Sequence, residues 1–312
     1  MSYAFHTVDV FTEHAFGGNQ LAVLPNAEGL SPGQMARIAR EFNFSETIFV
    51  FPPENPANTR RVRIFTPGAE LAFAGHPTVG VAYVLALTGE INIEGDETRI
   101  VLEEGVGPIP VLIKSREGRP WFTQLTTAKI PELINGGYDP EIIARGLSLE
   151  AGDLDLDSGY SIEVVSAGVP FLIVPVKSVE ALGSARFDER AWEAVVRSGG
   201  TGEVFIFTED ESSKARAGVL NGDGVLRARM FAPSFGVPED PATGSACACL
   251  GGYLAWRSAR ADGTLRYTVN QGVEMGRPSR LEVEVDIEGR TVDSVRVGGR
   301  SVLISSGTLH VP

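Results

Sequence analysis

FGVPEDPATGSACACLGGYLAW, residues 235–256, sets an acid, Asp240, directly before Pro241 and then runs to Trp256 without another charge. AFAGHPTVGVAYVLAL, residues 72–87, does much the same after His76. A helix that is apolar on every face must be buried on every face. Small residues in both stretches, Gly80 and Ala82 in one and Ala246, Ala248 and Gly251 in the other, let neighbouring strands pack close. Proline is favoured at the first helical position, so Pro77 and Pro241 predict helices over about 77–88 and 241–256. The residues before them then stand as caps, an ordinary place for Asp240 and an unusual one for His76. A buried helix start presents unpaired N–H groups and the positive end of the dipole, and something negative should meet it. Two such starts facing each other would make an anion-binding cleft.

Most of the remaining chain reads as strand. Residues 5–11, 47–51, 61–65, 98–104 and 109–113 alternate apolar and polar side chains, as do 161–165, 202–208, 226–231, 265–270 and 280–287. Surface helices are predicted at 31–42, capped by Ser31, and at 139–147 and 188–199, each opened by Asp. Residues 135–139 and 150–160 read as loops. The two halves also repeat one order of signals. Gly18-Asn19-Gln20, Glu46, Phe65-Thr66-Pro67 and Gly75-His76-Pro77 are followed in the second half by Gly168, Glu203, Phe231-Ala232-Pro233 and Asp240-Pro241. The expected fold is therefore α+β. It has two pseudo-symmetric domains, each a curled β-sheet wrapped around a central apolar helix, over residues 1–128 and 129–312. The last strand, about 300–311, is a candidate to return to the first domain.

Composition narrows the functions open to such a fold. A chain of 312 residues fits two domains. A net charge of −13 argues against nucleic acid and anionic membrane partners. Cys247 and Cys249 are too close in sequence to staple a fold and read as small core residues, which suits a reducing compartment. The opening MSYAFHTVDVF has no signal-peptide pattern, so a cytoplasmic location is expected. Four histidines without ligand spacing predict no metal site, and Gly17-Gly18 is not part of a dinucleotide fingerprint. Read from its neighbours Asn43 and Ser45, Glu46 is equally a polar strand start or a base.

FTEHAFGGNQLAVL, NFSETIFVF, FTPGAELAFAGHPTVG and FGVPEDPATGSA together resemble the phenazine-biosynthesis PhzF family, and the likeness continues through QGVEMGRPSRLEVEV at 271–285. The resemblance implies a diaminopimelate epimerase-like fold with the active site in the cleft between domains. It implies no cofactor, a small carboxylate substrate and a homodimer. It places the catalytic roles on Glu46, His76 and Asp240, and substrate binding on Gly75, Gly244, Ser245 and, through the loop before the second strand, Asn19. Gln20 stands where many members carry proline, a change expected to alter loop shape or substrate choice. Where diaminopimelate epimerase has two cysteine bases, this chain has His76 and Asp240, with Cys247 lying beyond the helix start. The resulting expectation is cofactor-independent isomerisation of a small carboxylic acid, cyclic or open-chain, by acid/base catalysis. A two-base racemase or epimerase and a non-catalytic small-acid binding protein stay open beside it.

Overall fold

The computed structural model describes residues 1–210 and 219–311, and these divide into two compact units, Met1–Ala128 with Val297–Pro312 and Lys129–Arg296. In the first unit the chain runs β1 (Ser2–Val10), β2 (Asn19–Leu24), α1 (Pro32–Phe42), β3 (Glu46–Phe51), β4 (Arg60–Phe65), β5 (Glu70–Leu71), α2 (Gly75–Leu87), β6 (Glu97–Glu104), β7 (Gly107–Arg116) and β8 (Arg119–Thr126). β1–β2, β3–β4, β6–β7 and β7–β8 pair antiparallel, while β2–β3 and β4–β6 pair parallel. The final strand, β18 (Ser301–His310), lies antiparallel on β1. The segment from Val297 thus clusters with the first unit, and the second domain ends earlier than the sequence boundary of 312.

The second unit repeats this plan. Its strands are β9 (Glu132–Gly136), β10 (Glu163–Ser166), β11 (Pro170–Pro175), β12 (Val204–Glu209), β13 (Asp223–Ala232), β14 (Val237–Asp240), β15 (Gly263–Gln271) and β16 (Ser279–Glu288), and β17 (Thr291–Gly299) leads the chain out. β9–β10, β10–β11, β12–β13 and β15–β16 are antiparallel, and β11–β12 and β13–β15 parallel, each matching its counterpart in the first unit. Three surface helices, α3 (Pro140–Gly146), α4 (Val179–Ser184) and α5 (Glu189–Arg197), do the work that α1 does alone. Ser31, Asp139 and Asp188 cap their helices as the sequence predicts. Asn135 and Gly136 belong to β9 rather than to a loop.

The central helices are α2 and α6 (Gly244–Ala255). Every residue of α2 except Tyr83 and Leu87 is buried, and every residue of α6 except Ser245. α2 packs on β1, β2, β3, β7 and β8, and α6 on β9, β10, β11, β15 and β16, so each helix meets strands from both ends of its unit's sheet. Glycine sets the closeness of approach. A Cβ on Gly80 would stand 2.6 Å from Leu21 Cδ2 and 2.7 Å from Val10 Cγ2.

The helix starts correct the sequence reading. α2 begins two residues before Pro77, with Ala74 as cap and His76 inside the first turn. Proline is tolerated there because that N–H also lacks an intrahelical acceptor. α6 begins three residues after Pro241, with Thr243 as cap, and Asp240 ends β14, where it pairs with Met230. Neither His76 nor Asp240 is a cap, and the two are not counterparts. Register gives the true match. Leu71 pairs with Ile64 as Asp240 pairs with Met230, and each helix starts four residues later, at Gly75 and Gly244. His76 therefore corresponds to Ser245.

Gly80→Val should destabilise the protein by about 1–3 kcal/mol through overpacking between α2 and the β1–β2 face. Urea unfolding measures this, and a variant as stable as the parent would contradict the close wrapping of α2.

Candidate active site

Three elements of the first unit bring polar side chains to the start of α2. Parallel pairing of β2 with β3 sets Leu21 opposite Glu46, so Asn19 and Glu46 both lie at strand beginnings on the same side. Asn19 is 1% exposed, and its Nδ2 lies 3.2 Å from His76 Nδ1. On the other side of the ring, His76 Nε2 stands 3.4 Å from Glu46 Oε2. The 3.4 Å separation is an approach rather than a hydrogen bond, and the roles in the Asn19 contact depend on which ring nitrogen carries the proton. Burial drives the His76 pKa down to about 3, against a smaller opposing effect of a hydrogen bond with the Gln20 backbone. The imidazole is therefore neutral at physiological pH. Gly75 and His76 are the first two helical residues, and their N–H groups have no intrahelical acceptor.

The second unit carries the other sequence-derived residues. Asp240 Oδ2 accepts a 2.5 Å hydrogen bond from Thr243 Oγ1. Gln271, which is fully buried, donates through Nε2 to Asp240 O at 2.7 Å and accepts from the Thr243 N–H at 3.1 Å. Gly244 and Ser245 open α6 with N–H groups that also lack intrahelical acceptors. Ser245 is the one residue of that helix left partly exposed. Cys247 and Cys249 are buried, and burial raises both thiols, the second to about 12, so neither is a ready thiolate. Among the described residues no cluster of three or more His, Cys, Asp or Glu side chains could hold a metal ion, and no helix is long and apolar enough to cross a membrane.

Thus Asn19, Glu46, Gly75 and His76 form one group, and Asp240, Gly244 and Ser245 another. The sequence reading missed Glu104, Thr243 and Gln271, which hold the helix starts. Register makes Glu104 and Gln271 counterparts: Arg61 lies opposite Glu103 as Arg227 lies opposite Asn270. Each is followed by a glycine against which the loop before the helix rests. A Cβ on Gly105 would meet Ala72 Cα at 2.8 Å, and one on Gly272 would meet Pro241 O at 2.6 Å. The pairs Glu104-Gly105 and Gln271-Gly272, each ending a strand, were the available signal.

Comparison with known proteins places this geometry. The family model described as phenazine biosynthesis-like protein, PhzC-PhzF, matches residues 8–307. An uncharacterized isomerase of Mesorhizobium japonicum is 37% identical over 97% of both chains. The trans-2,3-dihydro-3-hydroxyanthranilate isomerase of Pseudomonas aeruginosa is 32% identical over 99% of this chain and 100% of its own. A solved PhzF-family structure from Bacillus anthracis superposes with a TM-score of 0.84 at 26% identity, covering 100% of each chain. The class is an isomerase on the diaminopimelate epimerase-like fold. Within that class, the chain belongs to the phenazine biosynthesis-like (PhzF) family.

The depressed pKa of His76 has a consequence for stability. Between pH 6.5 and about 3 the unfolded chain binds a proton that the folded chain refuses, so the contribution of His76 is present at neutral pH and is lost as pH falls. From about pH 7 to about pH 4.5, wild type should lose about 2–3 kcal/mol more stability than His76→Gln. Urea titrations of both proteins at the two pH values give that difference, in which all other titrating groups cancel. Equal losses would mean that His76 is not held neutral.

Proposed function

We propose that this isomerase moves a proton between carbons of a small carboxylic acid, with Glu46 as the acid/base. The reading rests on one observation, a glutamate 3.4 Å from a neutral, buried histidine at the start of a sheathed helix. Glu46 takes the proton from a carbon beside an activating group. The negative charge that develops is stabilised by the N–H groups at the start of α2, which need no reorganisation when the charge appears. Glu46 then returns the proton to a different carbon. His76 is too weakly basic to abstract a proton itself; its ring packs beside Glu46 and Asn19 holds it in place. In the second unit, Asp240, Gly244 and Ser245 are the groups proposed to bind polar parts of a substrate. These side chains suffice for the chemistry without a metal or an organic cofactor. The working form is proposed to be a cytoplasmic homodimer without nucleic acid or membrane partners, and sedimentation in solution tests the dimer.

Relatives named as trans-2,3-dihydro-3-hydroxyanthranilate isomerases make that compound the first substrate to test. Incubation in deuterium oxide should place deuterium at the newly protonated carbon. Label confined to an inverted carbon would instead identify an epimerase. The raised thiols of Cys247 and Cys249 count against a two-thiol version of that alternative. Glu46→Gln should keep the fold and lose turnover by about 100- to 10,000-fold, the usual contribution of a positioned acid/base. Stopped-point assays on the purified variant measure this, and an undiminished rate would remove Glu46 from the role.

A further inference from the structure

Glu104 is a buried carboxyl at the end of β6, 8% exposed, and the reaction above does not use it. Its Oε1 lies 2.6 Å from Thr78 Oγ1, and Thr78 Oγ1 lies 2.7 Å from Ala74 O. A hydroxyl has one proton to donate. Ala74 O is a carbonyl and can only accept, so the Thr78 proton goes there. The short contact with Glu104 then needs a proton from the carboxyl. In the second unit the counterpart, Gln271, is a permanently neutral group with a donor and an acceptor. It donates through Nε2 to the loop and cap and accepts the cap N–H of Thr243. The Ala74 N–H, the matching cap group, hydrogen-bonds Glu104.

We propose that Glu104 is a positioning residue for His76, held as the neutral acid and tying the end of β6 to the first turn of α2 as Gln271 ties β15 to α6. The tie reaches His76 through the cap at Ala74 and through Thr78, two residues before and two after the ring. Deprotonation of Glu104 removes the donor that Thr78 needs and puts a charge in an enclosed site, so the first turn shifts and carries the imidazole with it. Burial raises the Glu104 pKa to about 8, with the Ala74 N–H opposing in part. The charged groups around it are Arg61 and Arg63 on β4, Glu70 on β5, Glu103 on β6 and Glu54 in the loop after β3, and the titratable neighbour on α2 is the neutral His76. β7 presents Gly107 and Pro108 there. Arg63 is bound to Glu70 at 2.6 Å, and Glu103 takes the N–H groups of Glu54 and Asn55, so these charges are engaged with one another.

The proposal gives the site its upper pH limit. It builds on the placement of His76 in the active site, but its test needs no substrate. Protein labelled with ¹⁵N-histidine is titrated from about pH 6.5 to about pH 10, with His76→Asn used to assign the signal. In wild type the His76 ring resonances should move in one step centred near pH 8. In Glu104→Gln they should start at the wild-type neutral-pH position and stay there. A His76 signal that is constant in wild type overturns the proposal, even if the variant fails to fold. So does a Glu104→Gln protein that keeps the step or displaces the ring at neutral pH. Turnover, where a substrate is in hand, should fall about fivefold in wild type from pH 8 to pH 9 and hold steady in Glu104→Gln. Failure of the Glu46 assignment would leave the imidazole titration unchanged, so the two ideas fail separately.

Discussion

An α-helix sheathed on all sides by sheet has nowhere to hide its ends. The lateral faces of α2 and α6 are satisfied by apolar packing, but the first-turn N–H groups need partners that packing cannot supply. Both units meet that need with a polar side chain at the end of the strand that follows the helix, Glu104 for Ala74 and Gln271 for Thr243. The N–H groups of the first helical residues are left over, and they are what a substrate anion can use. The site is thus a consequence of the architecture. A helix buried at its flanks and incompletely satisfied at its tip is an oriented set of donors in a low-dielectric setting.

That architecture was largely readable before any coordinates. Charge-free stretches after His76 and Asp240 force burial, and strands alternating with period two supply the sheath. The end-of-strand pair Arg63–Glu70 returns as Arg229–Glu239, a bidentate bridge in both units, and this confirms the duplication at side-chain level. What failed was register. Proline reads as the first helical position in both halves, yet it is the third residue of α2 and precedes α6 altogether. The error arose because proline is acceptable at any position whose N–H has no intrahelical acceptor, so it marks a region and not a residue. Glu104 and Gln271 escaped for a related reason. Each interacts across a pairing between distant strands and the helix cap, and sequence spacing carries no such information. The exposed β9, with no buried residue, also lacks the alternation that would have revealed it.

Once the register is corrected, the two units can be compared position by position, and the comparison locates the chemistry. Thr47 pairs with Phe65 as Val204 pairs with Phe231, so Glu46 and Glu203 occupy the same place one residue earlier. Yet their surroundings differ. Glu46 faces His76, whereas Glu203 is 7% exposed, has its pKa raised by burial, and is hydrogen-bonded by Ser234 Oγ. The same backbone thus keeps one glutamate beside an imidazole and retires the other into a local contact. At the helix start the first unit has His76 where the second has Ser245, and at the strand end before it the first has Leu71 where the second has Asp240. Of these two slots each unit fills one with a titratable group, at different places on a common frame.

This division of labour follows from what each position can tolerate. The slot of His76 and Ser245 lies in the first turn of a buried helix, where a charge would be costly to desolvate, and the residues found there are a histidine held neutral and a serine. The slot of Leu71 and Asp240 lies at a strand end outside the helix, half-buried, where the Asp240 carboxyl accepts from the Thr243 hydroxyl. Neutral groups therefore occupy the enclosed positions and charged ones the rims. Glu104 is a buried carboxyl beside the first turn of α2, and it obeys the same rule only by keeping its proton. A duplicated fold in which one copy uses glutamine at that point and the other an acid has made the neutrality of the site conditional on pH in one half alone.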